Sequence, residues 1–172
     1  MAQDDIVSKI TEAARAKGVD PQIALRIAGA ESTNNPSAQN PRSTAGGLFQ
    51  VIDDTWNRYG GKPGMKKDVQ ENIRVGTDII ADNTNILRKH FGREPQGHEV
   101  YAAHFFGPDT AKQVLAANPS QPIESLVSKQ VLEANPQLKG QSAGDVLNSL
   151  RGKMGAPSKK VSGVNLDEVG PG

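Results

Sequence analysis

Apolar residues recur along most of this chain three or four positions apart, and no sustained apolar–polar alternation argues for a strand. Asp4 and Asp5 open a first helix carrying Ile6, Ile10, Ala13 and Ala14 on one face, and Gly18 closes it. Asp20-Pro21 is an N-cap followed by proline at the first helical position, which starts a second helix. On that helix Ile23, Ile27 and Glu31 fall within about 80° of one another. The helix breaks at Thr33-Asn34-Asn35-Pro36, and irregular chain runs on to Gly47. After the short apolar insert Leu48–Ile52, Asp53 or Asp54 caps a brief helix bearing Trp56 and Tyr59. The clearest helix spans Val69 to Phe91. Val69, Ile73, Gly76, Ile80, Thr84 and Leu87 form its stripe, with Ile79, Ile86 and His90 beside it. Further helices are predicted at 98–105, from Gly107-Pro108 through Leu115, at 120–135, and at 142–154, where Ser142 and Asp145 make a capping pair. Residues 155–172 are rich in Gly, Pro, Ser and Lys without a period, which reads as a flexible tail or a docking strand. The fold class is all-α.

The same pattern isolates one acid. Glu31 lies on the face that has to be buried, and it sits at the helix C-terminus, where the macrodipole opposes a negative charge. Burial and dipole both raise a carboxyl pKa, as a general acid near neutral pH requires. A solvent-facing glutamate at a helix end is the other reading the spacing allows.

Length and charge narrow the field. A chain of 172 residues suits one domain plus an extension. The net charge of +1 gives no electrostatic basis for binding nucleic acid. No apolar run approaches a membrane span. The chain holds no cysteine, so disulfides and thiolate metal sites are excluded. The three histidines lack zinc-ligand spacing, and no cofactor is expected. MAQDDIVSKI lacks the basic and apolar regions of a signal peptide, so a route other than Sec export is expected for a target outside the cytoplasm.

Several motifs then fall in order: Glu31-Ser32, Asn35-Pro36, Ala45-x-Gly47-Leu48-Phe49-Gln50, Thr55, Asn72-x-x-x-Gly76, and Ala103-His104-Phe105-Phe106-Gly107-Pro108. Together they resemble the soluble lytic transglycosylase domain, a lysozyme-like (goose-type) helical fold, over roughly residues 5–115. The resemblance divides the chain into that domain at 1–115, a helical extension at 116–154 packed on it or docking a partner, and the tail at 155–172.

The resemblance implies cleavage of the bond between N-acetylmuramic acid and N-acetylglucosamine in peptidoglycan, giving a 1,6-anhydro sugar. Glu31 matches the family's catalytic acid, and Gln50 its sugar-binding glutamine, whose amide can both donate and accept. Phe49 offers an apolar face to a sugar ring, Gly47 a close backbone approach beside the acid, and Ser43 a hydroxyl near it. Ser32 and Asn72 read as structural. Asp53 and Asp54 are explained better by capping than by catalysis. The family's usual Ala-Tyr-Asn is here Ala-His-Phe, so His104 is expected against Glu31, or else Tyr101, three residues earlier on the same helical face. A hydrolase of the same fold and a glycan-binding virion protein without turnover are the rival readings. The Leu-Phe-Gln-Val-Ile-Asp-Asp-Thr-Trp variant resembles phage forms. The expected location is therefore a phage virion, among other virion proteins and acting on the host cell wall, with the bacterial periplasm as the alternative.

Overall fold

The computed structural model describes residues 3–155 and, beyond them, the backbone of two short strands. Eight α-helices follow in order among these residues: α1 Gln3–Ala16, α2 Pro21–Ser32, α3 Asp53–Arg58, α4 Val69–Phe91, α5 Gly97–Phe106, α6 Pro108–Ala116, α7 Lys129–Ala134 and α8 Ala143–Lys153. Two 3₁₀ turns, Ile123–Ser125 and Pro136–Leu138, flank α7. Lys160–Val161 pairs antiparallel with Val164–Asn165. The remainder of the segment expected as a flexible tail lies outside the described residues.

The helices begin and end where side chains can satisfy the free backbone groups. Asp20 accepts from the Gln22 amide at 2.9 Å and Asp68 from the Glu71 amide at 2.9 Å. Gln96 with Glu99 and Ser142 with Asp145 close reciprocal capping boxes on α5 and α8. The short helix α3 departs from expectation: Ile52 is its N-cap residue, and neither Asp53 nor Asp54 caps it. Asp53 instead pairs with Lys66, and its amide donates to the Thr44 hydroxyl at 2.9 Å. The region expected as one helix over 120–135 is divided. Pro122 precedes the first 3₁₀ turn, and Ser128 starts a new helix by accepting from the Val131 amide at 3.2 Å. His90, expected beside the inward stripe of α4, faces solvent in the last turn.

Helix α4 is the axis of the domain. Ile73, Val75, Gly76, Ile79, Ile80 and Leu87 are buried along it, with α1, α5 and α6 packed around it. Ile6 and Ile10 of α1, Ile27 of α2, Val100 of α5 and Val114 of α6 join the same core. Ala143, Val146 and Leu150 bring α8 into that core as well, through its contact with α5. The extension therefore packs on the helices it follows.

One junction sets the position of the turn at residues 45–51. Asn72, fully buried, accepts from the Phe49 amide at 2.9 Å and donates to the carbonyls of Lys66 at 2.8 Å and Gly46 at 3.2 Å. Gly47 has φ +81, and a Cβ there would stand 2.2 Å from the Asn72 amide nitrogen. A Cβ at Gly76 would stand 2.3 Å from the Phe49 ring. The Gly47-Leu48-Phe49 and Asn72-x-x-x-Gly76 motifs are thus two halves of one packing contact. Replacing Gly76 with alanine forces an overpacked ring, and a loss of about 1–3 kcal/mol is expected in denaturant unfolding.

Candidate active site

The C-terminal end of α2 brings Glu31 to the floor of a cleft of about 770 Å³. The helix cannot continue past it. Thr33 and Asn34 both adopt left-handed backbone, at φ 52 and 59, and the Thr33 amide returns to the Gly29 carbonyl. Ile27, one turn back, is completely buried, and Glu31 itself is half-buried. Ser32 turns the other way, its hydroxyl donating to the Ala28 carbonyl at 3.0 Å, which is a structural role.

Burial is the largest influence on the Glu31 carboxyl and raises its pKa to about 7. Two groups oppose it. Lys153, in the last turn of α8, favours the charged form, and so does a hydrogen bond from the Tyr101 hydroxyl. Tyr101 is 1% exposed, and its hydroxyl is held neutral by burial first and by the adjacent carboxyl second. Of the two residues expected near the acid from the helix spacing, Tyr101 is the one whose hydroxyl bears on the carboxyl.

His104 does not take that place. Its Nε2 lies 2.7 Å from the Phe49 carbonyl, which can only accept, so Nε2 carries the proton. Burial lowers the pKa of this ring, against the opposing effect of the Phe49 bond, and favours the neutral form. Nδ1 is then a bare acceptor, buried and without a protein partner. His104 still lines the cleft, as a fixed neutral wall rather than as a donor to Glu31.

The other expected residues divide. Gln50 and Ser43 line the cleft with Glu31. The Gln50 side-chain nitrogen is occupied, donating to the carbonyls of Gly47 at 2.9 Å and Ala38 at 3.1 Å, which leaves its oxygen as the group able to meet a ligand. Ser43 Oγ accepts from the Ala45 amide at 3.1 Å and keeps its proton free to donate. Phe49 and Gly47 lie beneath the cleft instead. Phe49 is 0% exposed with its ring against Gly76, so it offers no face to a sugar, and the close approach at Gly47 is to Asn72 rather than to the acid. Asn72 is structural, bonding neighbouring backbone as expected.

Several cleft residues escaped sequence reasoning. Asn83 of α4 faces the cleft at 3% exposure. Its signal was present, since it is an amide three residues after Ile80 and four before Leu87, inside an apolar stripe. Arg42 and Arg58 carry no such signal, and neither does the far wall formed by Ser128–Asn135. Only the folded chain brings these together. Among the described residues no group of three or more His, Asp or Glu side chains is arranged to hold a metal ion.

An all-helical domain with a half-buried glutamate at a helix end, held by a tyrosine in a polar cleft, belongs to the lysozyme-like class of glycan-cleaving proteins. The sequence matches the transglycosylase SLT domain over residues 8–127, and the chain belongs to that family, the lytic transglycosylases that act on peptidoglycan. The match runs past residue 115, where the domain was expected to end, and stops before α7.

Two expectations follow from the electrostatics. The folded-state pKa of Glu31 lies above its unfolded value. Its contribution to stability is therefore full in acid and is lost as pH rises through about 7. Glu31→Gln should exceed wild type in unfolding free energy by about 3 kcal/mol at pH 8, with the difference closing toward pH 4. In a carboxyl-carbon NMR titration, Tyr101→Phe should move the Glu31 midpoint upward, because it removes a bond that favours the carboxylate. His104→Ala should leave that midpoint in place, since the ring bonds Phe49 and not the acid.

Proposed function

We propose that Glu31 performs both proton transfers of a lytic transglycosylase. The reading is supported by a carboxyl in the cleft, beside the Tyr101 hydroxyl, whose pKa burial raises to about 7 so that acid and carboxylate forms are both populated near neutrality. In the first step the neutral acid gives its proton to the glycosidic oxygen as the bond from C1 of the muramyl sugar breaks. The N-acetylglucosamine leaves with a free 4-hydroxyl. The Glu31 carboxylate then takes the proton of the muramyl 6-hydroxyl, whose oxygen bonds to C1. This closes the 1,6-anhydro ring and regenerates the acid. No water is consumed, so no second carboxylate is needed to activate one, in contrast to inverting glycosidases. The sugar's own acetamido group stabilises the positive charge at C1. Gln50 Oε1 and the Ser43 hydroxyl are placed to meet N-acetyl and hydroxyl groups.

The motif variants at Leu48–Trp56 and Ala103–Gly107 support a further reading. We infer that the chain is a cell-wall-opening component of a phage particle, carried in the virion and acting in the host periplasm during genome entry. Mass spectrometry of purified particles should detect it; recovery only from the bacterial periplasmic fraction would reject this location.

Digestion of purified peptidoglycan tests the chemistry. Wild type should release anhydro-muropeptides, and Glu31→Gln should slow their release by about 10²–10⁴-fold. Activity should decline on the alkaline side with a half-point near the Glu31 pKa of about 7. Reducing-end products would identify a hydrolase. A wild type that binds glycan without product would identify a binding protein.

A further inference from the structure

The family match ends at residue 127, yet six of the next eight residues line the cleft. Within Ser128–Asn135, helix α7 has no fully buried residue, and only Val131 and Leu132 pack against the core. It lies between two buried anchors, Ile123 before it at 0% exposure and Leu138 after it at 5%. The bridge between Pro122 and Ser142 draws together the ends of the segment that contains it. The segment is a strap, tied at both ends, with Ser128, Gln130, Val131, Glu133, Ala134 and Asn135 lining the cleft.

Opposite the strap runs the loop at residues 40–45, and the two walls touch. The Asn40 side-chain nitrogen donates to the Ala134 carbonyl at 3.4 Å, joining residues 94 apart in sequence that both line the cleft. A cleft whose facing walls are in hydrogen-bond contact is spanned at that point. No sugar ring passes between a donor and its acceptor. A glycan chain can stop against this contact or be threaded beneath it, and either arrangement requires a free chain end. It cannot be laid in sideways from the middle of a long strand.

We propose that the strap at 128–135, tied to Asn40, makes the cleft selective for the ends of glycan strands. The inference rests on the glycan-cleaving reading of the site and adds to it where along the polymer the protein works. Gln130, Glu133 and Asn135 face the space beside the contact with amide and carboxylate groups, which suit the hydroxyl and acetamido groups of a terminal sugar.

Binding without turnover tests this. The Glu31→Gln protein is titrated with peptide-free peptidoglycan glycan strands sorted into short and long fractions, and bound protein is counted per strand. End selection predicts the same count at every strand length. A count rising in proportion to length overturns it. The strap's part is read from two further variants of that protein. Asn40→Ala cuts the tie and should raise the count on long strands at least twofold over short ones; an unchanged count would show that the strap does not select ends. In the cysteine-free chain, Asn40→Cys with Ala134→Cys allows the tie to be made covalent. Oxidation should then leave the count unchanged, whereas a tenfold loss reversed by reductant would mean that strands enter from the side. Product release by wild type is scored separately. Binding at strand ends without anhydro product would overturn the transglycosylase chemistry and leave end selection standing.

Discussion

The buried amide of Asn72 is the interaction on which the arrangement of the cleft depends. Its oxygen and nitrogen are fully engaged, reaching the Phe49 amide and the carbonyls of Lys66 and Gly46. An unpaired amide in that position would carry a desolvation penalty of about 1–3 kcal/mol, so the turn has one arrangement that satisfies it. With the turn held, the Phe49 ring fills the space left by Gly76, and the Phe49 carbonyl meets His104. One turn before His104 on α5, Tyr101 bears on the Glu31 carboxyl. From α4 toward the acid, hydrogen bonds and close packing alternate within an apolar core.

The acid at the end of this chain is a balance. Burial raises its pKa, and a complete absence of compensation would leave a carboxyl that rarely ionises, useless as a base. Tyr101 and Lys153 pull the other way, from α5 and from α8. The two roles proposed for Glu31 therefore draw on three helices, one of which lies beyond the family match. His104, neutral and bonded to a backbone carbonyl, stays out of this balance. Tyr101, one helical turn before His104, is the α5 residue that bears on the acid. The C-terminal extension supplies both a charge near the acid and the far wall of the cleft.

Local pattern made much of this readable in advance. The helical periods located α1, α2, α4 and α5, and Asp20-Pro21 and the Ser142–Asp145 pair marked two starts, because caps and stripes are nearest-neighbour physics. Glu31 was legible as a charge on an apolar face, and Asn83 could have been found by the same test. The failures share a different cause. Asp53 and Asp54 look like caps, but Asp53 is drawn to Lys66, a partner only the fold supplies. Phe49 looks like a sugar platform, but its ring is needed against Gly76. The 120–135 helix broke where Pro122 and Ser128 offered alternatives that tertiary anchors at Ile123 and Leu138 made favourable.

By itself, then, the sequence determined the helical class, the acid and the motifs that go with it, since periodicity and capping act over a few residues. Tertiary structure alone decided which side chain touches Glu31, because Tyr101 and His104 are one turn apart on α5 and only packing against Phe49 separates their roles. It also decided that residues 128–135 face the cleft. That placement joins Ala134 to Asn40 across 94 positions of chain, and no local period can encode a contact of that range.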